Sequence, residues 1–303
     1  MAINRAQLVK ELEPGLNALF GMEYNRYAEE HKEIFDVESS DRAFEEEVML
    51  SGFGEAATKG EGASVSYDSA SEAWTSRYQH ETIALAFSLT EEAIEDNLYD
   101  KLSSRYTKAL ARSMRHTKEV KAANVLNNAF SSSYTGGDGK ELCATDHPLM
   151  SGGSLRNEPS TAADLNETSL ENALIDIAAY VDERGLKVAI NGTKLIIPSQ
   201  LQFVAERLMK TEGRTATADN DINAVRNMGF LPQGYAVNHY LTDSDAWFIK
   251  TDAPNGLKMF ERSPVKTAME GDFETGNVRY KARERYSFGW SDPRAIYGSP
   301  GAA

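Results

Sequence analysis

The chain has 303 residues, of which 41% are hydrophobic and 26% are charged, and its formal net charge is −14 at pH 7. This apolar fraction supports one large core or two smaller ones and excludes a chain that is disordered throughout. The acidic balance argues against a dedicated nucleic-acid-binding protein, and no stretch approaches the roughly 18 consecutive apolar residues of a membrane span.

Residues 1–40 are predicted to form an N-terminal arm. The first 50 residues contain 12 Asp or Glu against 5 Lys or Arg, so half of the excess negative charge lies in the first sixth of the chain. Pro14 and Gly15 are expected to end a first helical turn. Apolar residues at helical spacing then predict a second helix, which carries Leu16, Phe20 and Tyr24.

Residues 41–90 predict a strand followed by an extended β-hairpin loop at about residues 52–78. Phe44, Glu46, Val48 and Leu50 alternate as in a strand, and the three consecutive glutamates at residues 45–47 require one face to stay solvated. The loop is rich in Gly, Ala and Ser and cannot bury a core of its own, although a flexible surface loop has the same composition. Exposed aromatic residues on a ribbon that is marginally stable alone imply a partner surface. The candidate contact residues are Lys59, Tyr67, Trp74 and Tyr78.

Residues 88–135 predict a single long helix, here named the spine helix, with its helical part at about residues 88–133. No Pro or Gly interrupts the stretch before Gly136, and apolar residues recur every four positions. At 100° per residue that stripe drifts around the axis, so the helix should cross its neighbours obliquely instead of forming a coiled coil. A second face carries a basic stripe, which either is solvated, pairs with the acidic arm, or contacts nucleic acid: Lys101, Arg105, Lys108, Arg112 and Arg115.

Residues 136–256 predict a mixed α/β unit after a Gly- and Ser-rich boundary at residues 131–161. A helical stripe follows caps at Asn166 and Thr168, with Gly185 as its stop. Asn191-Gly192 predicts a hairpin between strands at residues 188–190 and 195–197. Ser199 and Gln202 predict a capping box for a helix that ends near residue 210. Residues 235–241 and 246–250 predict further strands.

Residues 257–303 give the most regular strand pattern and predict a C-terminal antiparallel sheet. From Val278 to Trp290 apolar residues alternate with Arg and Lys, and Glu284 is the single break. The apolar face should pack on the spine helix. The predicted fold class is therefore α+β.

One constellation suggests catalysis. Cys143 lies close to Asp146 and His147, and a cysteine near a histidine can serve as nucleophile and base. No oxyanion site accompanies them, so a soluble Cys/His hydrolase is the weaker alternative and the chain is predicted not to be an enzyme. Asp219 and Asp221 begin like a calcium loop, but Ala224 replaces the required Gly and the closing Glu is missing. No cofactor or metal site is expected.

The order of these segments and three short stretches of sequence resemble those of a known protein family. The sequence Asn127-Asn128-Ala129-Phe130, the stretch from Leu142 to Leu149, and the stretch from Tyr286 to Arg294 are similar to the head-protein pattern of tailed double-stranded DNA bacteriophages. Those major capsid proteins have the Hong Kong 97-like fold.

The resemblance implies a peripheral domain made of the spine helix and the C-terminal sheet, an axial domain, the hairpin loop and the arm. Subunits would form pentamers and hexamers of an icosahedral head around the phage genome, assembled in the bacterial cytoplasm, with portal protein and a decoration protein as further partners. Because Met1 lies close to the arm, a separate scaffolding protein is expected, and covalent crosslinking through Lys59 is not assumed. An encapsulin-like compartment shell, which encloses protein instead of DNA, is the nearest alternative.

Overall fold

The computed structural model describes residues 5–90, 92, 99–213, 221–272 and 276–302, with side chains from residue 13 in the first helix and from residue 103 in the spine helix. The helices are α1 (Arg5–Tyr24), α2 (His31–Ile34), the spine helix α3 (Tyr99–Asn127), α4 (Glu167–Ala178), α5 (Gln202–Lys210) and α6 (Ala224–Asn227). The strands are β1 (Asp36–Ser39), β2 (Phe44–Leu50), β3 (Glu72–Gln79), β4 (Glu81–Leu89), β5 (His147–Pro148), β6 (Ser154–Leu155), β7 (Gly192–Ile197), β8 (Tyr235–Val237), β9 (Trp247–Thr251), β10 (Leu257–Gly271), β11 (Val278–Trp290) and β12 (Ile296–Ser299). No helix in these ranges is long and apolar enough to cross a membrane.

The first sheet has the strand order β1-β10-β11-β4. Strand β11 is one of its two inner strands and pairs antiparallel with β10 on one side and with β4 on the other. Its alternation is as predicted, because Val278, Tyr280, Ala282 and Tyr286 are buried while the intervening Arg and Lys residues face outward. The C-terminal strand prediction is confirmed for β10 and β11.

The spine helix packs on the buried face of this sheet, as predicted, and α1 packs on both. Leu16, Phe20 and Tyr24 of α1 form one apolar cluster with Leu110 and Met114 of the spine helix, and Tyr280 and Ala282 complete it from β11. The predicted stop at Pro14 is wrong, since α1 continues through it. Proline removes one backbone hydrogen bond, and burial of three large side chains directly after it offsets that cost.

The bounds of the spine helix differ from the prediction at both ends. Ser88 and Leu89 belong to β4, where Ser88 pairs with Arg279 and Leu89 pairs with Val278. The described helix ends at Asn127 instead of residue 133, because the next residues form a turn in which the Ala129 amide donates to the Leu126 carbonyl. No Gly or Pro follows Asn127 before Gly136, so the sequence alone did not predict that the helix ends at Asn127.

The second sheet has the order β12-β9-β7-β8 and a core of its own with α4 and α5. Helix α4 starts with a reciprocal capping box between Asn166 and Ser169. It ends at Ala178, so Gly185 is not its stop. The predicted hairpin at Asn191-Gly192 is also wrong: Gly192 begins β7, which pairs with β9 and β8. A Cβ at Gly192 would lie 2.9 Å from Cγ2 of Ile249, so close packing explains this glycine.

Two further predictions are wrong. Ser199 opens a short 3-10 turn, Ser199–Leu201, and donates to the Gln200 side chain instead of capping α5. Ile296–Ser299 pairs with β9 in the second sheet, so residues 257–303 are divided between both sheets. The chain therefore crosses between the two sheets again just before its end.

Candidate functional site

Strands β2 and β3 form a separate two-stranded ribbon that lies outside both larger sheets. Their pairing runs from Phe44 opposite Gln79 to Leu50 opposite Glu72. One side of β2 leaves Phe44, Val48 and Leu50 exposed, with Leu50 at 64%. The connecting loop, residues 51–71, contains no strand. The ribbon thus presents apolar side chains and a long loop without an internal core.

The four residues predicted as hairpin contacts have different environments. Tyr67 is 97% exposed and Lys59 is exposed, whereas Trp74 is half-buried. Tyr78 is buried: its hydroxyl lies 2.5 Å from Oγ of Ser291, and its ring packs edge-on against Phe260. The prediction that Tyr78 is exposed is therefore wrong, because its strand register turns it toward the first sheet. Tyr78 anchors the ribbon.

Polar contacts fix the base of the ribbon to the first sheet. The Lys258 ammonium forms ion pairs with Glu38 at 3.0 Å and with Glu47. Burial lowers the pKa of Lys258, but these two carboxylates outweigh it and raise the pKa above its ordinary value. His80, between β3 and β4, contacts Ser40 Oγ at 2.9 Å and Ser287 Oγ at 3.0 Å. Burial and nearby Arg285 lower the pKa of His80, which favours its neutral form.

The far part of the loop is held at one point. The Asp68 carboxylate accepts hydrogen bonds from the Gly54 amide at 2.7 Å and the Ser69 amide at 2.8 Å, and it pairs with Arg184 at 3.1 Å. These donors lower the pKa of Asp68. The loop is thus tied to the segment between α4 and β7, which carries Arg184, while residues 55–67 stay exposed.

The basic stripe of the spine helix divides into two parts. Arg112 donates to Glu23 at 3.3 Å, and Arg115 pairs with Glu29 at 2.7 Å and with Glu119 at 3.4 Å. Arg105 and Lys108 are exposed and form no ion pair with a side chain in the described ranges. Lys101 lies outside the residues whose side chains are described. Pairing with the acidic segment thus applies to the C-terminal part of the stripe.

A buried charge cluster beneath the arm is not evident from the sequence. Lys118 of the spine helix pairs with Glu284 of β11 at 2.8 Å, and both side chains are at most 8% exposed. The Tyr24 hydroxyl donates to Glu284 at 3.0 Å, and burial raises the pKa of this tyrosine. His31 contacts Glu119 at 2.7 Å. The only signal for this cluster was the break in β11 at Glu284, whose partners lie far away in the sequence.

Each residue of the hydrolase alternative is engaged with residues outside the proposed catalytic set or buried in the core. Cys143 is buried, and burial raises the pKa of its thiol well above the ordinary value. Both ring nitrogens of His147 are engaged, one by Asp138 at 2.6 Å and the other by Asn157 at 3.1 Å. Asp146 pairs with Lys140 at the surface. Among the described residues no group of three or more His, Cys, Asp or Glu could hold a metal ion.

These features define a class of protein. A long helix across a long-stranded sheet, a second mixed sheet, a separate two-stranded ribbon and an N-terminal helix together form the Hong Kong 97-like fold. The family model described as "Phage capsid protein" matches residues 72–299. The chain belongs to this phage capsid protein family. It is a structural protein of the virion and contributes to the shell of the head.

Solved structures show the same fold. The "Capsid of native GTA particle computed with C5 symmetry" is 16% identical, with a TM-score of 0.53, and the match covers 91% of this chain and 92% of that chain. The virus-like particle from Pyrococcus furiosus is 12% identical, with a TM-score of 0.51 and coverage of 94% and 97%. The capsid of Myoviridae phage XM1 is 10% identical, with a TM-score of 0.50 and coverage of 88% and 89%. No curated protein matches the sequence.

Proposed function

We propose that this chain is the major capsid protein of a tailed bacteriophage and assembles into pentamers and hexamers that close an icosahedral head around double-stranded DNA. The likeness to capsids and a virus-like particle supports this proposal. Heterologous contacts between identical subunits give rings when the rotation closes. The role is structural, and no catalytic activity is proposed.

The observation that carries the proposal is the β2–β3 ribbon. It exposes Phe44, Val48 and Leu50 on one side, and its loop includes a tyrosine that is 97% exposed. A two-stranded ribbon is marginally stable alone in water, and exposed apolar residues on one side of it, here interrupted by Glu46, fit an interaction surface. The ribbon therefore fits a contact with a neighbouring subunit, in which Lys59, Tyr67 and Trp74 are the candidate contact residues.

Assembly would take place in the bacterial host cytoplasm with a separate scaffolding protein and a portal protein, and a decoration protein could bind the finished head. Packaged DNA would be contacted without sequence preference, for which Arg105 and Lys108 offer exposed cations on the spine helix. Enclosure of protein cargo, as in an encapsulin-like shell, is the competing function. The nucleic-acid content of native particles, measured as the 260/280 nm absorbance ratio after nuclease treatment, separates the two.

The direct test is expression of the chain with its candidate scaffolding protein, followed by negative-stain electron microscopy. We expect closed shells or tubular polyheads. A variant in which a short Gly-Ser linker replaces residues 55–67 keeps both ribbon strands and Asp68, and it should give a folded subunit that makes no stable shells. A wild-type chain that remains monomeric with scaffold present would contradict the proposal, and equally stable shells from the deletion variant would exclude a role of loop residues 55–67 in assembly.

A further inference from the structure

The face of the first sheet that points away from the spine helix carries a column of cations, here named the β11 column. It consists of Arg279, Lys281 and Arg283, which alternate along β11 with residues buried against the spine helix and α1. Residues two apart on a strand are separated by about 6.6–6.8 Å, so the column is about 13 Å long. Its three side chains therefore stand in one straight row on the outer face of the sheet.

Most of the β11 column has no partner within the subunit. Arg279 pairs with Asp272. Lys281 and Arg283 are exposed and form no ion pair with a side chain in the described ranges. Lys266 of β10, directly opposite Arg283, is a further exposed cation without such a pair. Like charges opposite one another destabilise a sheet, so an anion from outside the subunit would stabilise this arrangement.

Small side chains leave room beside the β11 column. On β4, Ala84 lies opposite Arg283 and Ala86 lies opposite Lys281. On β10, Ala268 lies opposite Lys281 from the other side. The two alanines beside Lys281 line a surface recess of about 630 Å³. These neighbours are too short to cover the cations, so a bound chain can approach them closely.

We propose that the β11 column binds an acidic, extended segment of a partner protein. Side chains of an extended chain point alternately to two faces, so an acidic residue at every second position repeats at the spacing of the column. Two such carboxylates meet Lys281 and Arg283 in succession, with Lys266 beside them. Arg279, at the end of the column, keeps its pair with Asp272. The inference goes beyond self-assembly and does not require that the chain form shells.

The charges around the column favour a peptide over a nucleic acid. Glu270 is exposed directly opposite Arg279, and Asp272 pairs with that arginine. These two carboxylates would repel a phosphate backbone that continued past this end, because every nucleotide carries a charge. A peptide can have uncharged residues there. Arg105 and Lys108, proposed above to contact DNA, belong to the spine helix on the other side of the sheet. The two groups of cations therefore suit different partners.

Fluorescence anisotropy at low salt, with the unassembled full-length chain, tests the match of spacing. The probe is a labelled 12-residue peptide in which Glu and Ser alternate, and the control peptide repeats Glu-Glu-Ser-Ser with the same composition. Only the alternating peptide turns a carboxylate toward the column at every second residue. We expect it to bind about threefold more tightly, as one more exposed ion pair allows. Equal affinities would mean attraction by net charge alone and would overturn the proposal.

Charge reversal tests the location. Lys281→Glu/Arg283→Glu should weaken binding of the alternating peptide at least tenfold. The control Lys187→Glu/Arg207→Glu makes the same change of net charge at two exposed positions elsewhere and should weaken it less than threefold. Lys281→Gln/Arg283→Gln removes the two charges without adding repulsion, and it should also weaken binding if the reversed variant fails to fold. Equal losses in the column and control variants would overturn the proposal.

A nucleic-acid probe tests the other class of partner. An oligothymidylate of seven nucleotides has six phosphates, which match the six carboxylates of the peptide. If the wild type binds it more tightly than the alternating peptide, and Lys281→Glu/Arg283→Glu loses it, the column is a nucleic-acid site and the proposal is overturned. Absence of binding by the alternating peptide overturns it as well. A chain that binds this peptide but forms no shells with its scaffold would contradict only the proposed function.

Discussion

Glu284 shows what a single polar residue does on an apolar strand face. It lies among Tyr280, Ala282 and Tyr286 on the buried side of β11, where an unpaired carboxylate would be costly. The Lys118 ammonium and the Tyr24 hydroxyl compensate its charge. The spine helix, α1 and the sheet therefore meet at one buried ion pair, which also fixes how they are aligned.

Removing one partner of this pair should be costly. We expect Glu284→Gln to lower the free energy of unfolding by about 3 kcal/mol, because it leaves the Lys118 ammonium buried without a counter-ion. Urea unfolding of the isolated subunit measures the change. Arg226→Gln, which breaks the exposed pair with Glu212, serves as the control and should cost less than about 1 kcal/mol. Similar losses in the two variants would argue against a buried pair.

The lowered pKa of Glu29 predicts that acid destabilises the N-terminal arm. Burial alone would raise the pKa of Glu29, but Lys32 and Arg115 outweigh it and lower the pKa from 4.5 to about 2. A carboxylate with a lowered pKa stabilises the fold above pH 4.5, and this contribution is lost as the pH falls toward 2. Glu29→Gln should therefore lower the urea midpoint at pH 7, and the difference from wild type should shrink by pH 3. A constant difference between these pH values would contradict the assignment.

The environment of Cys143 predicts a thiol that does not react in the folded state. It is buried and its pKa is raised, and His147 is held by Asp138 and Asn157. A thiol reagent such as DTNB should label the native protein at pH 8 at least a hundredfold more slowly than the urea-unfolded protein, because thiolate and access are both required. Rapid labelling of the native protein would reopen the nucleophile hypothesis. Cys143→Ala should assemble like the wild type.

At the scale of elements, the ribbon combines a rigid base with a free loop, and two tyrosines report on these parts separately. Tyr78→Phe removes the hydrogen bond to Ser291 and should lower the free energy of unfolding by about 1 kcal/mol. Tyr67→Ala, at a fully solvated position, should leave the unfolding midpoint of the subunit within error but reduce the yield of shells. The opposite pattern, with Tyr67 important for subunit stability, would show that the loop folds onto its own subunit.

The elements that could be predicted from sequence are those whose pattern is long and local. The alternation in β11 covers 13 residues, and the spine helix contains no Pro or Gly, so both were identified. The failures at Pro14 and Gly192 have tertiary causes, because each is decided by packing against a distant element. The cluster at Glu284 could not be predicted, since its partners Tyr24 and Lys118 lie 260 and 166 positions away. Sequence patterns report periodicity and not such distant pairings.

At the scale of the whole molecule, a chain of net charge −14 nevertheless carries groups of exposed cations at two places among its described residues. One consists of Arg105 and Lys108 on the spine helix, and the other is the outward face of β11 with Arg279, Lys281 and Arg283. Cations on an acidic protein concentrate its attraction for anions at defined places, while the remaining surface repels them. Contact with DNA in the head would then be local and weak.

The spine-helix cations should affect filling of the head more than its formation. The variant Arg105→Glu/Lys108→Glu should form shells in normal yield, but full particles should lose DNA at lower salt than the wild type, because repulsion replaces two phosphate contacts. Nuclease sensitivity over a salt series measures this. The control variant Lys187→Glu/Arg207→Glu makes the same change of charge at two exposed positions near the second sheet. Equal salt sensitivity in both variants would assign no particular role to the spine helix.

The return of the chain to the second sheet at Ile296–Ser299 has a consequence for synthesis on the ribosome. Strand β9 ends at Thr251, and its partner β12 begins 45 residues later, after the whole of β10 and β11. At about 5–20 residues per second, β9 waits roughly 2–9 s for this neighbour. A chain released early would carry an incomplete second sheet with the edge of β9 uncovered. Chains terminated before Ser299 are therefore exposed to proteases and chaperones, and only a chain that includes β12 has both sheets complete when it meets other subunits.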